Sequence, residues 1–558
     1  MLSLRSLLTS SQEKCFTDQF PEDFPVLRQA TMLRNQHYSF QLIYRADSDA
    51  ILHTAALTLS GALAPYAEIY DVVSVPVLMP AYAGRTDDNY LRTAPGLYPD
   101  LLQPLHYGNR LSLCRNQLRS VWICLSPEAA MPAGDYPLTL TLTGDDGTVL
   151  AEHTLPVHVI DALLPEHGLL LTQWFHADCL ASFYHVPVFS ERHWEIIGNY
   201  LRTAARYGQT MILTPLFTPP LDTEIGRERP TVQLVTVFRN NGEYAFDFSL
   251  LGRWIDLCEE CGIHWFEMSH LFTQWGAAHA PKIVAFEGEA EKPTRIFGWD
   301  TDAAGDEYRR FLHALLPALL RFLRERGVDQ RCKFHLSDEP NEACLDHYRA
   351  AKQMVAEALS GYDLMDALSS FRFYSQGLVS LPIPANNAIE PFLDAHVKGL
   401  WTYYCCAQDR KVSNRFIAMP SWRNRAIGMQ WFTYDIVGFL HWGYNFYYNM
   451  GSHDLINPYL DNSGELQVPA GDPFVVYPAP DGTALPSLRL MVFREAQEDL
   501  AAMKLCASIH GKAAVVAAME TAAGEKIRFD RCPHTAAEML RVRAAVDYLI
   551  EQRSPISC

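Results

Sequence analysis

The stretch Lys333-Phe334-His335-Leu336-Ser337-Asp338-Glu339-Pro340 ends a strand-like run in two adjacent carboxylates. Paired carboxylates are what cleavage of a glycosidic bond needs: one protonates the leaving oxygen and the other stabilises the developing cation. Adjacent acids seldom span the bond as acid and nucleophile. They better suit a reaction in which a 2-acetamido group on the substrate attacks the anomeric carbon. One acid then orients the acetamido N–H and its neighbour is the general acid/base. Side chains alternate faces along a strand, so Phe334 and Leu336 should pack outward while His335, Ser337 and Glu339 share the other face. Asp338 can join Glu339 only if the chain bends after Ser337. Pro340 predicts that bend, because proline biases the preceding residue away from the α region and donates to no ladder. Asn341 is placed to cap a following helix, with Glu342 in its first turn. A bare Asp-Glu pair is more often solvated charge; the apolar lead-in and the Pro-Asn exit weigh towards a site.

The elements around this stretch decide what it can be part of. From Leu169 the chain alternates strands and helices: Leu169–His176, a helix over 192–207, Thr210–Pro215, a helix over 250–261, His264–Ser269, and a helix over 308–326. The acid-bearing strand follows, then a helix from Glu342, then strands expected at Phe371–Ser375, Val397–Tyr404 and Gly438–Asn445. This rhythm predicts a parallel sheet, as a (β/α)8 barrel or an open doubly wound sheet. A barrel places catalytic groups at the C-terminal ends of its strands, and no Gly-x-Gly-x-x-Gly turn points to a dinucleotide.

The N-terminal region reads as strands and turns. Phe40–Tyr44 is a short strand, and Leu138–Thr143 alternates strictly before the turn Gly144-Asp145-Asp146-Gly147-Thr148 and the run Val149–Val159. That is a hairpin, and the pattern suits a β-sandwich. Pro95–Leu102 reads as an ordered loop. The tail from Leu488 is helical, with amphipathic character over 535–553. The expected organisation is a sandwich over 1–163, a barrel over 164–505 and a helical extension over 506–558.

The 558 residues are 49% hydrophobic and 20% charged, which permits a large core. A net charge of −18 without an extended basic run disfavours nucleic acid and anionic membrane surfaces. No apolar stretch has transmembrane length, and Met1–Leu8 is too short for the apolar part of a secretory signal. Thirteen cysteines without scaffold spacing fit reduced thiols in a cytoplasm. Cys258-Glu259-Glu260-Cys261 lacks a second pair at zinc spacing and lies on a helix, so no metal or other cofactor is expected. Cys405-Cys406 is expected unpaired. No nucleophile elbow or phosphate loop is present.

Aromatic residues are plentiful, with 11 Trp and 26 Tyr. Trp174, Trp275, Trp299, Trp401, Tyr403, Tyr404, Trp442 and Tyr444 fall near expected strand ends, where rings could stack on the C–H faces of sugars. Core or rim packing is the competing role for each. His441, beside Trp442, could bond a sugar hydroxyl or be a satisfied structural histidine.

Ser337-Asp338-Glu339-Pro340, Gly438–Asn445, Pro486–Leu490, Arg494–Asp499, Pro95–Asp100 and Gly471–Pro478 together resemble glycoside hydrolase family 123 and its relatives. The resemblance spans sandwich and barrel. It implies a (β/α)8 barrel carrying a retaining β-N-acetylgalactosaminidase that uses substrate assistance and no metal. By motif position Asp338 would orient and stabilise the acetamido group and Glu339 would be the acid/base. By strand position Trp174, His176, His335, Trp401, Tyr403, Tyr404, His441, Trp442 and Asn445 would meet the sugar. The expected partner is a glycan or glycoconjugate. Ala496 stands where the resemblance leads one to expect glycine. Two alternatives stay open: a hydrolase of the same fold for sugars without the acetamide, and a non-catalytic carbohydrate-binding protein.

Overall fold

The computed structural model describes residues 3–48, 50–105, 108–127 and 129–552; the ends of the expected sandwich (1–2) and tail (553–558) lie outside them. Two five-stranded sheets form the N-terminal part. One runs Ser3–Ser10, Tyr38–Asp47, Leu118–Leu125, Ala67–Val77, Gly96–Pro104, and the other Ala30–Leu33, Val149–Ile160, Gly134–Gly144, Leu52–Ser60, Arg110–Cys114. Leu42, Ile123, Leu57, Leu140 and Val157 fill the space between them. The hairpin expected around Gly144–Thr148 is present, with Leu138, Leu140 and Leu142 buried on one face.

One sandwich expectation is corrected. Residues 96–104 are a strand, not a loop, paired antiparallel with Ala67–Val77 across a register shift at Val73/Ser74. Pro99 and Pro104 fit because this is an edge strand, where a missing N–H need not break a ladder.

The second part is a barrel of eight parallel strands: β1 (Leu170–Gln173), β2 (Met211–Thr214), β3 (Trp265–Met268), β4 (Cys332–His335), β5 (Leu364–Leu368), β6 (Leu381–Pro384), β7 (Trp401–Tyr403) and β8 (Gly438–His441). Strand order is β6-β5-β4-β3-β2-β1-β8-β7, and a parallel bridge between Ala385 and Tyr403 closes the ring. The open doubly wound alternative is thereby excluded. Side chains alternate as the pleat requires: Met211, Leu213, Met365, Ile383, Trp401 and Leu440 point inward, while Ile212, Phe266, Phe334 and Phe439 pack against the outer helices.

Two strands differ from expectation. Phe371–Ser375 is a short helix, begun by Ser370, whose aromatic rings pack in the outer layer against Tyr348 and Phe392. The strand of that unit is β5, and β6 was not anticipated because Pro382 and Pro384 argue against a central strand. Those prolines are tolerated because the β6–β7 seam is thin, little more than the Ala385–Tyr403 bridge. An unanticipated four-stranded sheet, Thr236–Asn240, Glu243–Asp247, Ile283–Glu287 and Thr294–Phe297, grows from the loops after β2 and β3.

The helix Leu488–His510 is buried over most of its length, so the expected boundary between 505 and 506 falls inside it. It locks the two parts together. Arg489 donates from Nε and Nη2 to the two oxygens of Asp100 (2.8 and 2.9 Å), and the Tyr477 hydroxyl donates to the same carboxylate (2.6 Å). All three residues are buried. Lys512–Ala523 and Ala536–Glu551 complete the tail. Among the described residues no helix is long and apolar enough to cross a membrane.

Candidate active site

The chain leaves β4 at His335 and bends before Pro340. Glu339 takes φ +43°, a left-handed conformation that a residue with a Cβ adopts at a cost of about 1–3 kcal/mol. The extended geometry usual before proline is given up here. Asn341 then begins the next element, its Oδ1 accepting from Ala343 N at 3.0 Å.

A loop from β3 is fastened to this bend. Phe272 N donates to Leu336 O (3.0 Å) and Trp275 N to Asp338 O (2.9 Å). Ser337 Oγ donates to Thr273 O (2.8 Å). The loop presents Gln274 to Asp338: Nε2 donates to Asp338 Oδ2 at 2.8 Å, while Oε1 accepts from Asp222 N at 2.9 Å. Asp338 is only 2% exposed, and its Oδ1 has no protein partner. Glu339 is half-buried and accepts from the Tyr403 hydroxyl at 3.0 Å. The Trp275 side chain favours the ionised form of the same carboxylate, and both acids act electrostatically on the Tyr403 hydroxyl. The Glu339 charge acts on the Asp338 carboxyl, so the two acids are electrostatically linked.

Burial, then the neighbouring charges of Glu339, Asp366 and Asp222, pushes the Asp338 carboxyl well above its ordinary range, against the pull of Gln274. Burial also raises Glu339, opposed by Tyr403 and Trp275. Asp222, in the loop after β2, is pushed up to about 7 by burial and by Glu339, opposed by Arg229. Arg229 itself is committed to Asp178 through two bonds of 2.7 Å. Burial raises Asp366 too, while the Tyr348 hydroxyl (2.7 Å) and the Ser337 N–H pull it down. Crowded, buried carboxyls hold their protons more tightly than free ones and favour any positive charge that develops among them. That is the electrostatic demand of glycosidic cleavage.

Beneath the acids lies a polar floor. Glu267 of β3 is fully buried and accepts from Thr172 Oγ1 (2.5 Å), Trp174 Nε1 (2.7 Å) and His335 Nε2 (2.5 Å). His270 stacks on His335 with ring centroids 4.1 Å apart. Trp174 and His335, expected to meet sugar, are thus tied up one layer below the mouth.

Other expected rim residues are likewise engaged by the protein. His176 Nε2 donates to Trp442 O (3.0 Å), its Nδ1 accepts from Arg229 (3.1 Å), and Asn445 brackets the His176 backbone at 2.9 and 3.2 Å. Trp401 fills the barrel interior over Gly438, where a Cβ would come within 2.0 Å of the indole. Tyr404 and His441 point outward and pack on each other (5.5 Å). His441 Nδ1 accepts from Gly443 N (2.9 Å). The Tyr403 hydroxyl reaches Glu339, while half-buried Trp442 donates from Nε1 to Asp472 Oδ2 (2.8 Å). Burial raises Asp472 to about 7. Trp275, 50% exposed, covers the acid bend from outside.

Sequence reasoning missed Gln274, Asp222, Glu267 and Asp366. For Glu267 and Asp366 a signal existed, an acid inside an otherwise apolar strand run. Gln274 and Asp222 sit in irregular loops and carried none. Cys258 is buried in its helix while Cys261 Sγ lies 3.7 Å from Gly198 O. Among the described residues no group of three or more His, Cys, Asp or Glu is placed to hold a metal ion.

Comparison with known proteins places this geometry. The model of the glycoside hydrolase 123 catalytic domain matches residues 174–506. A family 123 glycoside hydrolase from Clostridium perfringens, described in terms of glycolipid glycan hydrolysis, superposes with a TM-score of 0.75 at 14% identity, covering 98% of each chain. A putative β-galactosidase from Bacteroides fragilis reaches only 0.31 at 10% identity, over 88% of this chain and 62% of that one, and carries no argument. No curated protein sequence matches the chain significantly. With the family model spanning more than half its length, from Trp174 at the end of β1 into the helix Leu488–His510, the chain belongs to glycoside hydrolase family 123 and is a glycoside hydrolase.

Proposed function

We propose that the chain releases a terminal β-linked N-acetylhexosamine, N-acetylgalactosamine in the first instance, with retention and by substrate assistance. The carrying observation is the state of Asp338: one carboxylate oxygen is held by Gln274 and the other is buried and unpartnered. A buried acceptor without a donor is unfavourable by about 1–3 kcal/mol, and the N–H of a 2-acetamido group would satisfy it. Asp338 then aligns the acetamido oxygen behind the anomeric carbon and stabilises the positive oxazolinium ion. Glu339, whose proton is held more tightly by burial, gives its proton to the leaving oxygen and then takes one from the attacking water. Trp275, half exposed and bonded through its backbone to Asp338, offers an apolar face beside the pair.

The test is turnover of unactivated β-N-acetylgalactosaminides by the purified chain and two variants. Glu339→Gln should nearly abolish it, and Asp338→Asn should lower it by about 100-fold or more. A thiazoline analogue of the oxazolinium should inhibit competitively. Equal activity on β-glucosides, or Glu339→Gln turnover equal to that of the unsubstituted chain, would overturn the reading.

A further inference from the structure

The geometry points to Gln274 as a positioning residue for the acetamido-directed acid. This deepens the reading just proposed and rests on the assignment of Asp338 to the acetamido group. A free glutamine side chain can flip, exchanging its oxygen and nitrogen. Here it cannot: Oε1 accepts from the backbone N–H of Asp222 at 2.9 Å, so Nε2 must face Asp338 Oδ2, which it meets at 2.8 Å. Flipping would set two N–H donors against each other at one end and two acceptors at the other. The backbone on either side is clamped as well, through Ser337 Oγ to Thr273 O and Trp275 N to Asp338 O.

The consequence is selective. A carboxylate offers two equivalent oxygens, and an acetamido N–H needs one of them in one place. By holding Oδ2, Gln274 fixes the torsion of Asp338 and leaves Oδ1 as the sole acceptor for substrate. The glutamine N–H bonds Asp338 much as the substrate N–H would, so the acid sits in a bonded rotamer before substrate arrives. Asp222 enters the same arrangement through its main chain, held in turn by Ser452 Oγ on its carbonyl at 2.8 Å. The loops after β2, β3 and β8 thus converge on the orientation of one carboxyl group.

Two substitutions in the full-length chain separate this role from a packing role. Gln274→Glu keeps an oxygen for the Asp222 N–H, so the fold should be retained with a melting temperature that recovers as pH is lowered, but it replaces the donor facing Asp338 by an acceptor. At neutral pH kcat should fall by about 100-fold with a smaller change in KM, the size of effect that follows from misplacing a reacting group. As pH is lowered, the introduced carboxyl protonates and its O–H can donate to Asp338, so the ratio of variant to unsubstituted kcat should rise. The titrating groups around it are Asp338, Glu339, Asp222, Asp366 and Tyr403, with Arg229 the cation acting on Asp222. Gln274→Met removes the donor at every pH, and its loss should be independent of pH. Both variants should weaken binding of the thiazoline more than that of free N-acetylgalactosamine. Loss below threefold in both variants, or a Gln274→Glu loss with no dependence on pH, would overturn the role of Gln274 while the unsubstituted chain still turns over. An unsubstituted chain that cleaves no N-acetylhexosaminide would instead remove the reading on which it rests.

Discussion

The Tyr403 hydroxyl donates to Glu339 Oε1 at 3.0 Å, across the barrel mouth from β7 to the bend after β4. A donor stabilises the ionised carboxylate, and here it works against the burial that holds the proton on. The bond therefore tunes the acid as well as placing it.

Tyr403→Phe tests that relationship. Losing the donor leaves burial opposed by Trp275 alone, so the Glu339 carboxyl titrates at higher pH. The alkaline limb of the kcat profile, where the general acid loses its proton, should move upward. At the optimum kcat should fall by about tenfold, the lower end of what a bond to a charged group is worth. A pH–rate profile of both proteins checks it.

Asp100→Asn tests the latch between sandwich and tail. Removing one charge leaves Arg489 buried with a partner that no longer balances it, and breaking a buried pair typically destabilises by about 3–5 kcal/mol. Urea unfolding should show that loss, while KM of the folded variant stays close to that of the unsubstituted chain.

Asp222 ties stability to pH. Its folded pKa is raised to about 7, so the folded chain binds this proton more tightly than the unfolded one. That stabilisation is complete below the ordinary carboxyl pKa and is lost as pH rises towards about 7, with a slope of about 1.4 kcal/mol per pH unit for one proton. Asp222→Asn should flatten this part of the stability curve, measured by urea unfolding at intervals between pH 4 and 8.

Glu267→Ala tests the polar floor. Three buried donors, on Thr172, Trp174 and His335, would lose their acceptor, at about 1–3 kcal/mol for each group left unsatisfied. Stability and activity should fall together, unlike the selective loss expected for Gln274→Glu. Thermal unfolding alongside turnover separates the two patterns.

The barrel rhythm and the bend after Ser337 were legible because both are local. Alternation along β4 assigns Phe334, His335 and Leu336 to their faces, and Pro340 marks the bend. The rim was not legible for the same reason. Trp174, His335 and Trp401 do point inward as their parity demands, but depth along the barrel axis decides whether an inward side chain meets ligand or its neighbours. Depth depends on register between strands, which spacing within one strand does not contain. His441 and Tyr404 fail on parity itself, since they alternate outward from Trp442 and Tyr403. β6 was hidden by its prolines, and Gln274 by lying in a loop whose path is set by tertiary hydrogen bonds.

The left-handed backbone at Glu339 has a bearing on descent. Asparagine or glycine would sit there with less strain, and either would make a sturdier protein without the carboxyl to which the proposed mechanism gives the proton transfer. A lineage released from hydrolysis would gain by drifting to one of them. Under the proposed mechanism, glutamate at this position, before proline and at φ +43°, keeps the backbone strain together with the carboxyl that the reaction needs.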